Sequence, residues 1–124
     1  MKVCANAHSK SVHVNPSRFQ GHVWRTDMIG AAEGEVLSGI RLNYEPGARS
    51  HWHVHTAEQA LIVLDGKGWI AWEGGPGPQE LAPGNWVHVT PGVPHWHGAD
   101  ATTVFAHLAV TAAGETHWLG PVED

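Results

Sequence analysis

The chain has a single cysteine, Cys4. One thiol closes no internal disulfide and argues against the disulfide-built scaffolds of small secreted domains. Cys4 also lies in a polar N-terminal segment expected to be mobile, which counts against a nucleophilic role. Positive charge is scarce: seven Lys and Arg stand against twelve Asp and Glu, for a formal net charge of −5. That balance argues against nucleic acid as the main partner. No apolar run approaches membrane-spanning length, and the N-terminus MKVCANAHSK has no apolar signal core, so no membrane partner and a cytoplasmic location are expected. No stretch of ten or more residues holds a helical period, and there is no repeat or low-complexity segment. A length of 124 residues with 42% hydrophobic and 15% charged residues fits one compact domain.

What the chain does have is glycine, proline and histidine: fifteen, eight and eleven residues. Spread-out Gly and Pro indicate many short strands joined by turns. Ser11 to Val14 reads as an edge strand stopped by Asn15-Pro16, and Gly21 to Thr26 as another. Glu35 to Tyr44 alternates, with Ile40, Leu42 and Tyr44 on one face and Gly39, Arg41 and Asn43 on the other. Ala60 to Leu64 reads as a buried strand. Asp65-Gly66-Lys67-Gly68 is a hairpin signal answered by Trp69 to Trp72. Trp86 to Val89 and the alternating Thr103 to Thr111 complete the strands, the latter with Phe105, His107 and Ala109 on one face. The tail from Ala112 has only Trp118 and Leu119 as anchors, and the seven tryptophans are expected mostly in core and pocket lining. Arg41 and Arg49 are read as surface-paired. The pattern predicts an all-β antiparallel sandwich or barrel.

The densest chemistry lies between Gly47 and Gly68, GARSHWHVHTAEQALIVLDGKG. Residues two apart on a strand share a face, so His53 and His55 project side by side, and Gln59 joins them if register is kept. Glu58 competes as a ligand but has the opposite parity. A second cluster, PGNWVHVTPGVPHWHG, presents His95 after the rigid turn Gly92-Val93-Pro94. His53, His55, Gln59 and His95 together offer three nitrogens and one amide oxygen, a set that holds a divalent metal and leaves positions free. A structural zinc site would be closed and rich in thiolates. His97 shares the face of His95 and is expected to support or pack rather than ligate. His51 is assigned to the rim, His8 and His13 to solvent without a partner, and His88 and His117 receive no role.

The two stretches resemble the two cupin motifs. Gly47, His53, His55, Gln59 and Gly66 match the spacing of the first, with Gln59 where Glu is most common; Gly84, Gly92 and His95 match the second. Thr90 replaces a usual proline, and Ala99 stands where asparagine is common. The resemblance implies a double-stranded β-helix (jelly-roll) barrel, one domain over 1–124 with its core about 35–111, commonly a homodimer, with the metal at the mouth. WHVHTAEQALIV, GWIAWEGG, PGVPHWHGA and HLAV further resemble the small bacterial cupins that include the manganese-dependent hydroxynitrile lyases. That resemblance implies metal ligation by His53, His55, Gln59 and His95, with His107 in the pocket as general base. A core histidine is the alternative reading of His107. It also implies one divalent ion per chain, manganese first; the ligand set accepts iron, zinc, nickel or cobalt as well. Pocket-facing Ile40, Leu42 and Thr111 would shape substrate choice. The expected activity is acid–base cleavage or formation of a carbon–carbon bond in a small-molecule substrate. An iron-dependent dioxygenase and a non-catalytic metal- or metabolite-binding protein are the alternatives.

Overall fold

The computed structural model describes residues 3, 10–29 and 36–123. The readings made on Cys4, His8 and Glu35 lie outside them. Among the described residues there is no α-helix, and therefore none long and apolar enough to cross a membrane. Thirteen strands run in order: β1 Ser11–His13, β2 Phe19–Gln20, β3 Val23–Ile29, β4 Leu37–Tyr44, β5 Arg49–Ser50, β6 Trp52–His55, β7 Gln59–Gly66, β8 Gly68–Trp72, β9 Gln79–Leu81, β10 Trp86–Val89, β11 His95–Ala99, β12 Phe105–Ala112 and β13 Thr116–Gly120.

The strands form two antiparallel sheets. One has the order β1-β3-β4-β12-β7-β10; the other runs β13-β6-β11-β5-β2, with β8 and β9 added beside β11. Sequence neighbours repeatedly fall in different sheets, as in a jelly roll. The core lies between them. Leu42 and Tyr44 of β4, Leu61 and Val63 of β7, and Phe105 and Ala109 of β12 are buried, with Val23, Ile70 and Val89 closing the sides. The alternation expected along β4 and β12 is the one observed: Leu42 stands opposite His107, and Ile40 opposite Ala109. Each fully buried Leu or Phe contributes about 1.5–3 kcal/mol.

Five expectations need correction. Asp65 to Gly68 does not form a hairpin. β7 pairs with β12 and β10, whereas β8 pairs with β11 and β9. The segment is a corner at which the chain leaves one sheet for the other. Gly66 has φ 76°, its N–H donates to the Asp65 carboxylate, and Lys67 N–H donates to Val104 O at 3.1 Å. A Cβ on Gly66 would sit 1.8 Å from Val104 O. Gly66→Ala is therefore expected to destabilise by more than about 1 kcal/mol, read from the urea midpoint. An unchanged midpoint would contradict the corner geometry.

The tail adds a strand to the barrel, since β13 pairs with β6 from Thr116 opposite His55 to Gly120 opposite Trp52. Trp118 packs inward as expected, but Leu119 is 56% exposed, and the second anchor is the buried Val122. Nor do the tryptophans fill the core: none is fully buried, and Trp86 is 71% exposed. A small barrel closes on residues of Leu, Val and Phe size, while a large indole is rarely covered completely. Trp69 instead donates to Asp100 at 3.1 Å beneath Lys67, and Trp96 lies under Arg49. Arg41 donates to Asn43, and no acid among the described residues pairs with it. His13 is exposed but has His22 at 3.0 Å, against the expectation that it has no partner.

Candidate metal centre

Register assembles the site. His53 of β6 stands opposite His95 of β11, Thr116 of β13 opposite His55, and Thr111 of β12 opposite Gln59 of β7. Directly opposed residues in an antiparallel pair share a face, so one ladder after another delivers its polar side chain to the same interior. His53, His55, Gln59, His95, His97 and His107 are all buried. All of them except His95 border a cavity of about 650 Å³, which Ile40, Leu42, Ala109, Thr111 and Trp118 also line; the His95 ring lies 4.2 Å from that of His53, centroid to centroid. Glu58 points away, exposed, with its carboxylate on His88.

Each of the three expected nitrogen ligands is held by its Nδ1. His53 Nδ1 donates to His51 O at 2.8 Å, and His95 Nδ1 to Val93 O at 2.9 Å; His55 Nδ1 meets Thr116 Oγ1 at 2.9 Å. A carbonyl only accepts, so in neutral His53 and His95 the proton is on Nδ1 and Nε2 keeps its lone pair. Gln59 Nε2 donates to Thr111 Oγ1 at 3.0 Å, which turns Oε1 inward. His55 Nε2, His95 Nε2 and Gln59 Oε1 are buried with no hydrogen-bond partner. Buried polar atoms stranded in this way are costly unless something satisfies them, and on His95 and Gln59 the stranded atom is an acceptor. A divalent cation does so, and the donor set fits one.

Among the described residues, a close group of nitrogens is drawn differently: His53, His95 and His97 each offer an atom within 4.8 Å of the others. His97, read from sequence as a supporting residue, thus lies within the cluster. Its Nδ1 is already 2.7 Å from the Tyr44 hydroxyl, which is also 3.0 Å from His107 Nε2. Tyr44 was not singled out as a site residue, although its place on the Ile40–Leu42 face carried the signal. The stack of Trp118 on His53, with ring centroids 4.7 Å apart, was also missed, as was the arginine that lines the cavity, Arg18, over the Trp118 ring.

Crowding of imidazoles away from water sets the electrostatics. Burial lowers the pKa of His53 well below its ordinary value, with His95 and His55 adding repulsion. Burial also lowers His95, offset in part by the Val93 carbonyl. It takes His55 down to about 4, with His95 pushing the same way. His97 lies well below its usual range through burial first and His107 second. Burial brings His107 to about 4; the Leu108 backbone opposes this weakly, but no hydrogen bond reaches Nδ1. Near neutral pH the interior is a set of neutral lone-pair donors, the form a metal requires.

Barrel, interior histidine cluster and unpartnered acceptors define a β-barrel protein with a pocket suited to a divalent cation. The cupin domain profile matches residues 40–118, and the chain belongs to the cupin family. It is 42% identical over 92 residues to an (R)-mandelonitrile lyase of Granulicella tundricola, covering 74% of this chain and 70% of that protein. Among solved structures, a cupin-like protein of Thermotoga maritima superposes with a TM-score of 0.87 at 31% identity, covering 97% of this chain and 92% of that one. A polyketide cyclase of Streptomyces resistomycificus gives 0.81 at 18% identity over 100% and 89%, a likeness of fold alone.

Proposed function

We propose that this cupin is a metal-dependent lyase that cleaves, and in reverse forms, cyanohydrins of small aromatic aldehydes. The observation that carries the reading is that the unpartnered polar atoms of His55, Gln59 and His107 belong to residues lining one cavity, with His95, its Nε2 also unpartnered, packed against His53 and His55 at ring-centroid distances of 4.2 and 5.2 Å. The 42% identity to a mandelonitrile lyase supports the substrate class. Under this reading His53, His55, Gln59 and His95 hold the ion, manganese first. When bound, it supplies positive charge that lowers the pKa of a neighbouring hydroxyl. Gln59, unlike a carboxylate, leaves that charge uncompensated.

The chain's own residues supply the rest. Ile40, Leu42 and Ala109 offer the apolar wall on which an aromatic ring packs. His107 Nδ1 takes the proton of the substrate hydroxyl. As the carbon–oxygen double bond forms, the electron pair of the carbon–carbon bond leaves with cyanide. The proton then passes from His107 to cyanide, giving an aldehyde, hydrogen cyanide and the neutral base.

Purified protein is expected to carry about one divalent ion per chain and to release cyanide from mandelonitrile under nitrogen. Elemental analysis beside a cyanide assay tests both. Stoichiometric metal in a His53→Ala, His55→Ala double variant would remove the ligand assignment. Turnover that strictly consumes oxygen would replace the lyase with an oxygenase, and metal binding without turnover would leave a binding protein.

A further inference from the structure

The Tyr44 hydroxyl lies between two imidazoles, 2.7 Å from His97 Nδ1 and 3.0 Å from His107 Nε2. All three side chains are buried. A phenol has one proton: it donates to one neighbour and accepts from the other. Each neutral imidazole also has one N–H. Two arrangements follow. If the hydroxyl donates to His97 Nδ1, then His97 carries its proton on Nε2, His107 donates from Nε2, and the lone pair of His107 is on Nδ1. If the hydroxyl donates to His107 Nε2, both tautomers reverse: His107 has Nδ1–H, and His97 turns an Nε2 lone pair toward His53 and His95.

The second arrangement makes His97 a third nitrogen for the His53–His95 group and leaves His107 without a base nitrogen facing the cavity. The first makes His107 the base and His97 an N–H donor. One shared proton forbids both roles at once. We propose that Tyr44 is a positioning residue that holds the pair in the first arrangement, so that His107 presents a lone pair to the pocket and His97 is excluded from the metal.

Two observations favour that arrangement. His107 Nδ1 is buried without a partner. As an N–H it would be an unsatisfied buried donor, costing about 1–3 kcal/mol, whereas as a lone pair it is the acceptor that a substrate hydroxyl satisfies. The Leu108 backbone favours a ring proton, but no group stands at hydrogen-bond geometry to Nδ1. Secondly, the ion does not need His97. His53, His55 and His95 have their Nδ1 atoms engaged by His51, Thr116 and Val93, and Gln59 is turned inward by Thr111.

The inference rests on the reading of His107 as base, and its test does not depend on activity. Nitrogen-15 NMR of the imidazoles, on metal-stripped protein and after adding zinc alone, reads the tautomers directly. His97 and His107 are both expected as Nε2–H forms, and His97 is expected to keep that proton when zinc binds. In Tyr44→Phe, His107 should become a mixture of tautomers, with metal content unchanged and kcat lower by about 5–10-fold, the share of one hydrogen bond. An Nδ1–H form of His107 in the wild type overturns the proposal, as does loss of the His97 Nε2 proton on zinc binding. So does a Tyr44→Phe spectrum in which His107 keeps a single tautomer. The wild-type spectra decide even if Tyr44→Phe fails to fold. Retained turnover in a His107 variant would instead remove the base while leaving the tautomer result standing.

Discussion

His107→Ala should lose roughly 10²–10⁴-fold in turnover while keeping its metal, the usual share of a positioned acid–base group. The split follows from which strands hold what. The proposed ligands are on β6, β7 and β11, whereas His107 is on β12, facing the cavity between Leu42 and Val63. Removing its imidazole takes away no ligand and none of the hydrogen bonds that aim them. The side chain is fully buried, so the variant also loses stability; His107→Asn, closer in volume and unable to act as a base near neutral pH, separates the two effects. The pH profile is the sharper observation. A general base works when neutral, so wild-type activity should fall as acid protonates His107, which burial brings to about 4 in the metal-free protein. His55 titrates in the same range, so metal content is followed in parallel, and only activity lost with the metal retained is the limb both variants should lack. If either variant turns over mandelonitrile at close to the wild-type rate, His107 is a core histidine, and the chemistry belongs to other groups in the cavity.

How much of this was legible in the residues depends on the range of the interaction. Parity along a strand is local, and it correctly placed His53 and His55 together, Gln59 inside, Glu58 outside, and His107 on the face of Phe105 and Ala109. The Gly-Pro turn before His95 is local too. What could not be read was any feature set by which strand lies beside which. Asp65 to Gly68 has a hairpin's composition, but β7 pairs with β10 and with β12, a strand that begins about forty residues later in the chain. The chain turns there because Val104 O takes the Lys67 N–H, a contact with no local signature. The same limit hid Tyr44. Its face was predicted from alternation, but its two hydrogen bonds reach residues 53 and 63 positions away. The stack of Trp118 on His53 exists only because the C-terminal segment pairs with β6. Even the choice between His55 and His97 as third nitrogen turns on one hydroxyl proton, which neither spacing nor motif encodes.

The metal-free protein should become steadily less stable as pH falls from about 6.5 to about 4, the interval between the ordinary histidine pKa and the folded-state value for His55 and His107. The sign follows from linkage. In the unfolded chain these imidazoles take up protons near 6.5; in the folded barrel burial keeps them neutral until about 4. Between the two values the unfolded state binds more protons, so acid favours it. Stability is fully present above the unfolded pKa and is lost as pH falls. His107 alone accounts for about 3 kcal/mol across the window, an equilibrium factor of more than 10² from a single group. His55, His53, His95 and His97 shift in the same direction. Urea unfolding of chelator-treated protein at a series of pH values measures the slope. His107→Asn, which removes one titrating group, should flatten it. Added zinc or manganese should move the loss to lower pH, because the ion competes with protons for the same lone pairs. A metal-free protein equally stable at pH 7 and pH 4.5 would contradict the buried neutral cluster, and with it the electrostatic basis of both the metal site and the base.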